Sequence, residues 1–220
     1  MVARDVPSHE HVAVPDVRVS ALAAMARQAS DAGDGREAVD LVQAARKTAT
    51  RDQENRPLLS LPAAREAIGH AQACDRGAAV SAIGQAHQWL DRGRRGDEPF
   101  WLDFWGPADL AWQETRVALA AGRVKSAEVA ARAALASVDA TSFPRNRTLY
   151  AADLGSVLAQ RGQLDEAISV LGEAIQAVHA VRGSGRVVAS LHRTVDLLGQ
   201  QKYPPATTFA AAARRLLPAT

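Results

Sequence analysis

Four stretches of the sequence are ragged copies of one another. Each runs from a turn residue through a short spacer to an alanine, then an apolar residue four places on and a second alanine three places after that. The copies are Gly33 with Ala38, Val42 and Ala45; Cys74 with Ala79, Ile83 and Ala86; Gly122 with Ala127, Ala131 and Ala134; and Gly162 with Ala167, Leu171 and Ala174. Residues three and four apart share one face of a helix, so each copy describes a helix with a stripe of small side chains. Such a stripe is needed where two helices cross closely, because anything larger than a methyl forces the axes apart. The chain therefore reads as all-α, a row of helical hairpins with each copy on the second helix of its pair.

Spacing narrows the type of row. The leading alanines at 38, 79, 127 and 167 are 41, 48 and 40 residues apart, longer than the roughly 34 of a regular tetratricopeptide repeat, although the internal order matches that template. The clearest copy runs from Ala151 to Ala174, with Leu154 and Gly155 where the template has Leu-Gly and Gly162 at the turn. The turn glycines each follow a helical stretch, where a left-handed residue ends the helix at least steric cost. The expectation is a right-handed tetratricopeptide-like superhelix of about five antiparallel hairpins, about ten helices, over residues 17–217. Residues 1–16 carry Pro7 and Pro15 without periodicity and read as a disordered leader. Helices are expected at 17–32, 36–51, 57–73, 76–92, 107–121, 124–138, 145–161, 164–181, 185–200 and 205–217.

Composition agrees with packing on alanine and leucine. Of 220 residues, 47% are hydrophobic but only 5% aromatic, which suits helices better than a sheet. There is no long apolar run, and the first 16 residues have no signal-like hydrophobic segment, so a cytoplasmic location without membrane contact is expected. The single Cys74 excludes an internal disulfide and has no metal or nucleophile partner at useful spacing. A net charge of +2 comes from 26 basic and 24 acidic residues that are dispersed along the chain. Only Arg92, Arg94 and Arg95 form a knot, flanked by Asp91, Asp97 and Glu98, which does not support direct nucleic-acid binding.

No motif points to catalysis. The six histidines are in the leader (His9, His11) or single on separate helices (His70, His87, His179, His192), without the i+3 or i+4 partners of a metal pair. A glycine-rich phosphate loop, a Gly-x-Ser-x-Gly turn and paired carboxylates in an apolar setting are all lacking. The expectation is no enzyme, no metal and no cofactor. A cluster of Phe100, Trp101, Phe104 and Trp105, in the longest break between helices, has two readings: an aromatic docking loop, or an anchor filling the gap between the second and third hairpins.

The runs Ala24–Leu41 (AMARQASDAGDGREAVDL) and Gly96–Leu119 (GDEPFWLDFWGPADLAWQETRVAL) resemble the tetratricopeptide-like sensor region of actinobacterial regulators that carry an N-terminal helix-turn-helix domain. The excess of arginine over lysine, 23 to 3, suits a GC-rich bacterial genome. The resemblance implies a helical array that senses a signal or holds a homodimer together. A helix-turn-helix domain takes roughly 60 residues, and only 16 precede the first expected hairpin, so the DNA-binding activity does not carry over.

If the array binds, the first helix of each hairpin lines the hollow. Counting back from the leading alanines places Arg27 there from the first hairpin, Asp109, Trp112 and Arg116 from the third, and Leu149, Ser156 and Gln160 from the fourth. Trp112 and Arg116 stand one helical turn apart and present a flat apolar face beside a guanidinium. Two functions follow: a regulatory module that takes a peptide or small-molecule signal in the groove, or an interaction scaffold that docks a protein and no small ligand.

Overall fold

A computed structural model describes residues 14–49, 56–93, 102–181 and 184–218. Among them are ten α-helices: α1 (Val14–Ala32), α2 (Gly35–Ala49), α3 (Arg56–Gln72), α4 (Arg76–Asp91), α5 (Pro107–Ala120), α6 (Val124–Ser137), α7 (Pro144–Gln160), α8 (Leu164–Val178), α9 (Gly185–Gly199) and α10 (Pro204–Leu216). A short 3-10 turn, His179–Val181, extends α8. Starts and ends fall within about three residues of those read from the sequence. The largest change at a start is in α1, which begins at Val14, so that Pro15 and Asp16 belong to its first turn rather than to a leader. Proline fits there, as it does at the starts of α5, α7 and α10, because the first-turn amides have no helical partner to lose.

The helices pair as α1/α2, α3/α4, α5/α6, α7/α8 and α9/α10, and the second helix of each pair also packs on the first helix of the next. Four of the five turns share one geometry. Gly33, Cys74, Gly122 and Gly162 have φ between 62° and 88°, and the amide after each reaches a carbonyl five residues back: Asp34 to Ala29, Asp75 to His70, Arg123 to Ala118 and Gln163 to Leu158. This closing bond satisfies a carbonyl that the helix end leaves open. Asp34 and Asp75 then cap the following helices through their carboxylates, which accept the amides of Glu37 and Ala78 at 3.0 Å.

The small-residue stripes are where the hairpins close. Ala38, Val42, Ala45, Ala79, Ala86, Ala127, Ala131, Ala134, Ala167, Leu171 and Ala174 are all buried. At Gly155 a Cβ would come within 2.7 Å of the Leu171 side chain, so glycine here sets the distance between α7 and α8. A fifth copy of the pattern, Ala206, Ala210 and Ala213, is buried in α10. Its turn has four residues, against two or three in the others, and no glycine in a left-handed conformation.

Helices α3 and α7 are covered on nearly all sides, since each lies between its own partner and both neighbouring hairpins. Polar groups carried inside by α3 are matched: Glu66 meets Arg46 at 2.5 Å and His70 at 3.8 Å, and the Ser60 hydroxyl donates to the Ala86 carbonyl at 2.8 Å. The backbones of α1, α3 and α5 approach one another directly, as do those of α7 and α9. Those of α5 and α7 stand further apart and meet through side chains. Five hairpins in chain order thus form a right-handed superhelix whose inner wall is α1, α3, α5, α7 and α9. No helix among the described residues is long and apolar enough to cross a membrane.

Candidate functional site

The wider gap between α5 and α7 opens the hollow of the superhelix. Two cavities lie there, of about 310 and 580 Å³, and they share Trp112, Leu149 and Arg186. The smaller is enclosed by Ser20 and Arg27 of α1, Leu61 and Arg65 of α3, Asp109 and Gln113 of α5, Arg145 and Tyr150 of α7, Arg186 of α9 and Phe104. The larger is lined by Ser30, Asp31, Arg116, Asp153, Ser156, Ser190, Arg193 and Thr194 among others. Every one of the inner helices except α3 contributes to both, so α1 and α9, far apart in sequence, face each other across one trough.

Repeat register explains which residues arrive there. Eighteen positions before the four leading alanines stand Ser20, Leu61, Asp109 and Leu149, and all four line the smaller cavity. Fourteen positions before them stand Ala24, Arg65, Gln113 and Asp153, again all in the trough. In the last hairpin the register is shifted by two: Arg186 and Ser190, which line the trough, stand twenty and sixteen positions before Ala206.

A polar and aromatic bridge spans the gap. The Trp112 and Tyr150 rings stack with centroids 5.6 Å apart and planes 24° from parallel, a favoured offset arrangement. The Trp112 indole N–H donates to Asp153 at 2.6 Å, and the Ser190 hydroxyl donates to the same carboxylate at 2.7 Å. Asp109 accepts from the Tyr150 hydroxyl and, at 3.2 Å, from Asn146. Burial drives the Asp109 carboxyl up to about 6; the Tyr150 hydrogen bond and the Arg186 and Arg65 guanidiniums pull the other way and lose. The Tyr150 hydroxyl is raised as well, by burial and then by the adjacent Asp109 charge.

Arginines dominate the rest of the wall. Arg116 meets Asp31 at 2.5 Å and so ties α5 to α1, while Arg27 lies 3.8 Å from the same carboxylate. The guanidiniums of Arg186 and Arg116 lie over the Trp112 ring at 4.8 and 5.3 Å. Arg65, only 8% exposed, donates to the Ala23 carbonyl, and its Nε has no partner among the described residues. Burial first, and then Arg27, Arg186 and Arg116, bring Arg65 down to about 9. Burial and Arg27 bring Arg186 down to about 10. Both remain charged at neutral pH, held against their mutual repulsion by the fold.

The trough gathers six of the seven groove residues expected from the sequence: Arg27, Asp109, Trp112, Arg116, Leu149 and Ser156. Gln160 lies outside both cavities, with its amide 3.4 Å from the Ser156 hydroxyl. Arg65, Tyr150, Asn146, Arg145 and Arg186 are additional. Of these, Arg65 stands fourteen positions before Ala79 whereas Arg27 stands eleven before Ala38, and Arg186 follows the shifted register of the last hairpin.

The aromatic segment divides. Phe100 and Trp101 lie outside the described residues. Trp105 is 1% exposed and packs edge-on to Phe104, with ring centroids 6.4 Å apart, in a core formed with Leu58, Leu61, Leu102 and Leu110. Its indole offers no surface for docking, while half-buried Phe104 closes one end of the smaller cavity. His87 meets Glu114 of the next hairpin at 2.8 Å. Among the described residues no group of three or more His, Cys, Asp or Glu is placed to hold a metal ion.

No protein-family model and no curated protein matches this sequence. Solved structures do match it. The crystal structure of nearly identical TPR-like repeats from a Podosopora anserina protein described as a kinesin light chain has a TM-score of 0.57 and 19% identity, and the alignment covers 94% of this chain and 96% of that one. A crystal structure of a substituted form of the same repeats aligns with the same score and identity over 94% and 97%. At that identity the likeness carries the architecture alone: the chain has a TPR-like repeat fold, reached with an alanine-rich sequence of its own.

Proposed function

We propose that this protein is a non-catalytic binding module whose inner trough takes an extended segment of a partner protein or peptide. One observation carries the reading: two adjoining cavities of about 310 and 580 Å³ run along the inner wall, share Trp112, Leu149 and Arg186, and are flanked by further guanidiniums. Aromatic and arginine side chains contribute most where they are held in place before the partner arrives, because little freedom is then lost on binding. The TPR-like fold supports a role in protein interaction, and the residues of the wall suit hydrogen bonding and charge pairing rather than bond making.

The finer role, a sensing part of a bacterial transcriptional regulatory system acting through a separate DNA-binding chain, rests on the resemblance of Ala24–Leu41 and Gly96–Leu119. A thermal-shift screen of peptides and metabolites tests the trough itself. A ligand at a hundredfold excess over its Kd stabilises the folded state by about 2.7 kcal/mol, a rise of several degrees for a chain of this size. Ser156→Trp, which places an indole in the larger cavity, should abolish the response without unfolding the protein. A full response in Ser156→Trp would move binding to another face.

A further inference from the structure

The smaller cavity has an unbalanced wall. Four arginines, Arg27, Arg65, Arg145 and Arg186, face it with a single carboxylate, Asp109. Their commitments differ. Arg145 donates through Nε to the Ser184 hydroxyl at 2.9 Å, and Arg27 has Asp31 at 3.8 Å. Arg186 makes no hydrogen bond or ion pair among the described residues and rests only on the face of Trp112. Arg65 is more than nine-tenths buried and keeps an unpartnered Nε. Leaving a buried charged donor unsatisfied is costly, and three guanidiniums that weaken one another are a costly arrangement without a counter-charge.

Asp109 offsets only part of that charge: it is one carboxylate among four guanidiniums, and its Oδ1 already accepts from Tyr150 and Asn146. Asp31 is drawn to Arg116 in the larger cavity. The wall of the smaller cavity therefore sums to about three positive charges. A planar guanidinium fork matches the paired oxygens of a carboxylate or a phosphate. A single carboxylate would leave two of the three charges unopposed, whereas a phosphate monoester brings close to two negative charges on three acceptor oxygens.

We propose that the cavity bounded by Arg27, Arg65 and Arg186 beside the Trp112–Tyr150 stack is an anion subsite that takes a phosphate group, with Arg65 and Arg186 as its principal donors. Trp112, Leu149 and Arg186 line both cavities, so the remainder of whatever carries the phosphate continues into the larger one. The inference rests on the trough being the binding face, and names the chemistry of one end of it.

The test is calorimetric titration of the full chain near pH 8, at fixed ionic strength, with inorganic phosphate, O-phospho-L-serine, L-serine and acetate. Phosphate and phosphoserine should bind saturably, while serine and acetate give no saturable heat. Tighter binding of phosphoserine than of phosphate assigns the group to a larger ligand, and equal binding assigns it to the free ion. Arg65→Ala removes a buried side chain and risks unfolding, so Arg186→Ala, at a half-buried position, is the informative variant. It should weaken phosphate binding by roughly tenfold or more. Arg214→Ala, which removes the same charge from the outer Arg214–Asp196 pair, should change it by less than about threefold.

No saturable heat with phosphate or phosphoserine up to tens of millimolar, or equal losses in Arg186→Ala and Arg214→Ala, overturns the subsite. If peptides still bind the trough and Ser156→Trp still blocks them, only the anion inference falls. If neither peptides nor anions bind, the trough reading falls with it.

Discussion

Asp109→Asn isolates the electrostatic cost of the bridge between α5 and α7. The Asp109 carboxyl is 7% exposed and is raised from 3.8 to about 6 in the folded protein. A raised folded-state value means that folding favours the protonated form. The stabilising contribution is therefore complete below about pH 4 and is lost as pH rises through about 6. A difference of about two units corresponds to roughly 3 kcal/mol, or several degrees in Tm for a protein of this length. Asparagine keeps an oxygen that can accept from Tyr150, so most of the geometry survives the substitution. Urea unfolding of both proteins at intervals from pH 4 to pH 8 gives the answer as a difference between two curves, in which the titrations of all other groups cancel. Wild type should lose about 3 kcal/mol relative to Asp109→Asn across that range. Parallel curves would mean that the carboxyl titrates normally and that the arginines balance its burial. A difference of the opposite sign would mean that Arg65 and Arg186 win, and that the wall is less positively charged in effect than its residues suggest.

Other expectations are independent of that one. Gly155→Ala should destabilise by about 1–3 kcal/mol, because the new methyl meets Leu171 at 2.7 Å. Gly84→Ala, with open space around its Cβ, should stabilise by up to about 1 kcal/mol through helix propensity; the same sign for both in chemical denaturation would contradict the tight α7–α8 crossing. Cys74→Gly relieves a left-handed residue at φ 62°. Since that strain of about 1–2 kcal/mol exceeds the added freedom of the unfolded chain, a small rise in Tm is expected, and a fall would show that the turn bears no strain. Trp112→Phe keeps an aromatic ring but removes the donor to Asp153 at 2.6 Å, for an expected loss of about 1.5–3 kcal/mol in urea unfolding; a change under about 0.5 kcal/mol would show that Ser190 and water satisfy the carboxylate unaided.

The regular part of the molecule was legible in the sequence because each signal there is local. Left-handed turn residues, aspartates after Gly33 and Cys74, prolines in first turns and alanines at helical spacing act within a few residues of themselves. The Trp112–Arg116 contact was legible for the same reason, as one helical turn separates them. The Trp112–Tyr150 stack, the Arg116–Asp31 pair and the Tyr150–Asp109 hydrogen bond were not, since their partners are 38, 85 and 41 residues apart. Trp105 shows the limit from the other side: composition marks an aromatic cluster, but packing alone decides that this indole is core.

By itself the sequence determined the kind of protein this is. Its small-residue stripes permit only closely crossed helices, and its turns fold each pair back, so an all-α row of hairpins follows from contacts between near neighbours. Only the tertiary structure decided what the hollow is. The curvature that brings α1 opposite α9, the shifted register of the last hairpin that aims Arg186 inward, and the wider spacing of α5 and α7 are sums over many interfaces. Charges dispersed evenly along the chain are thereby concentrated on one wall, because a superhelix places every first helix on the same side.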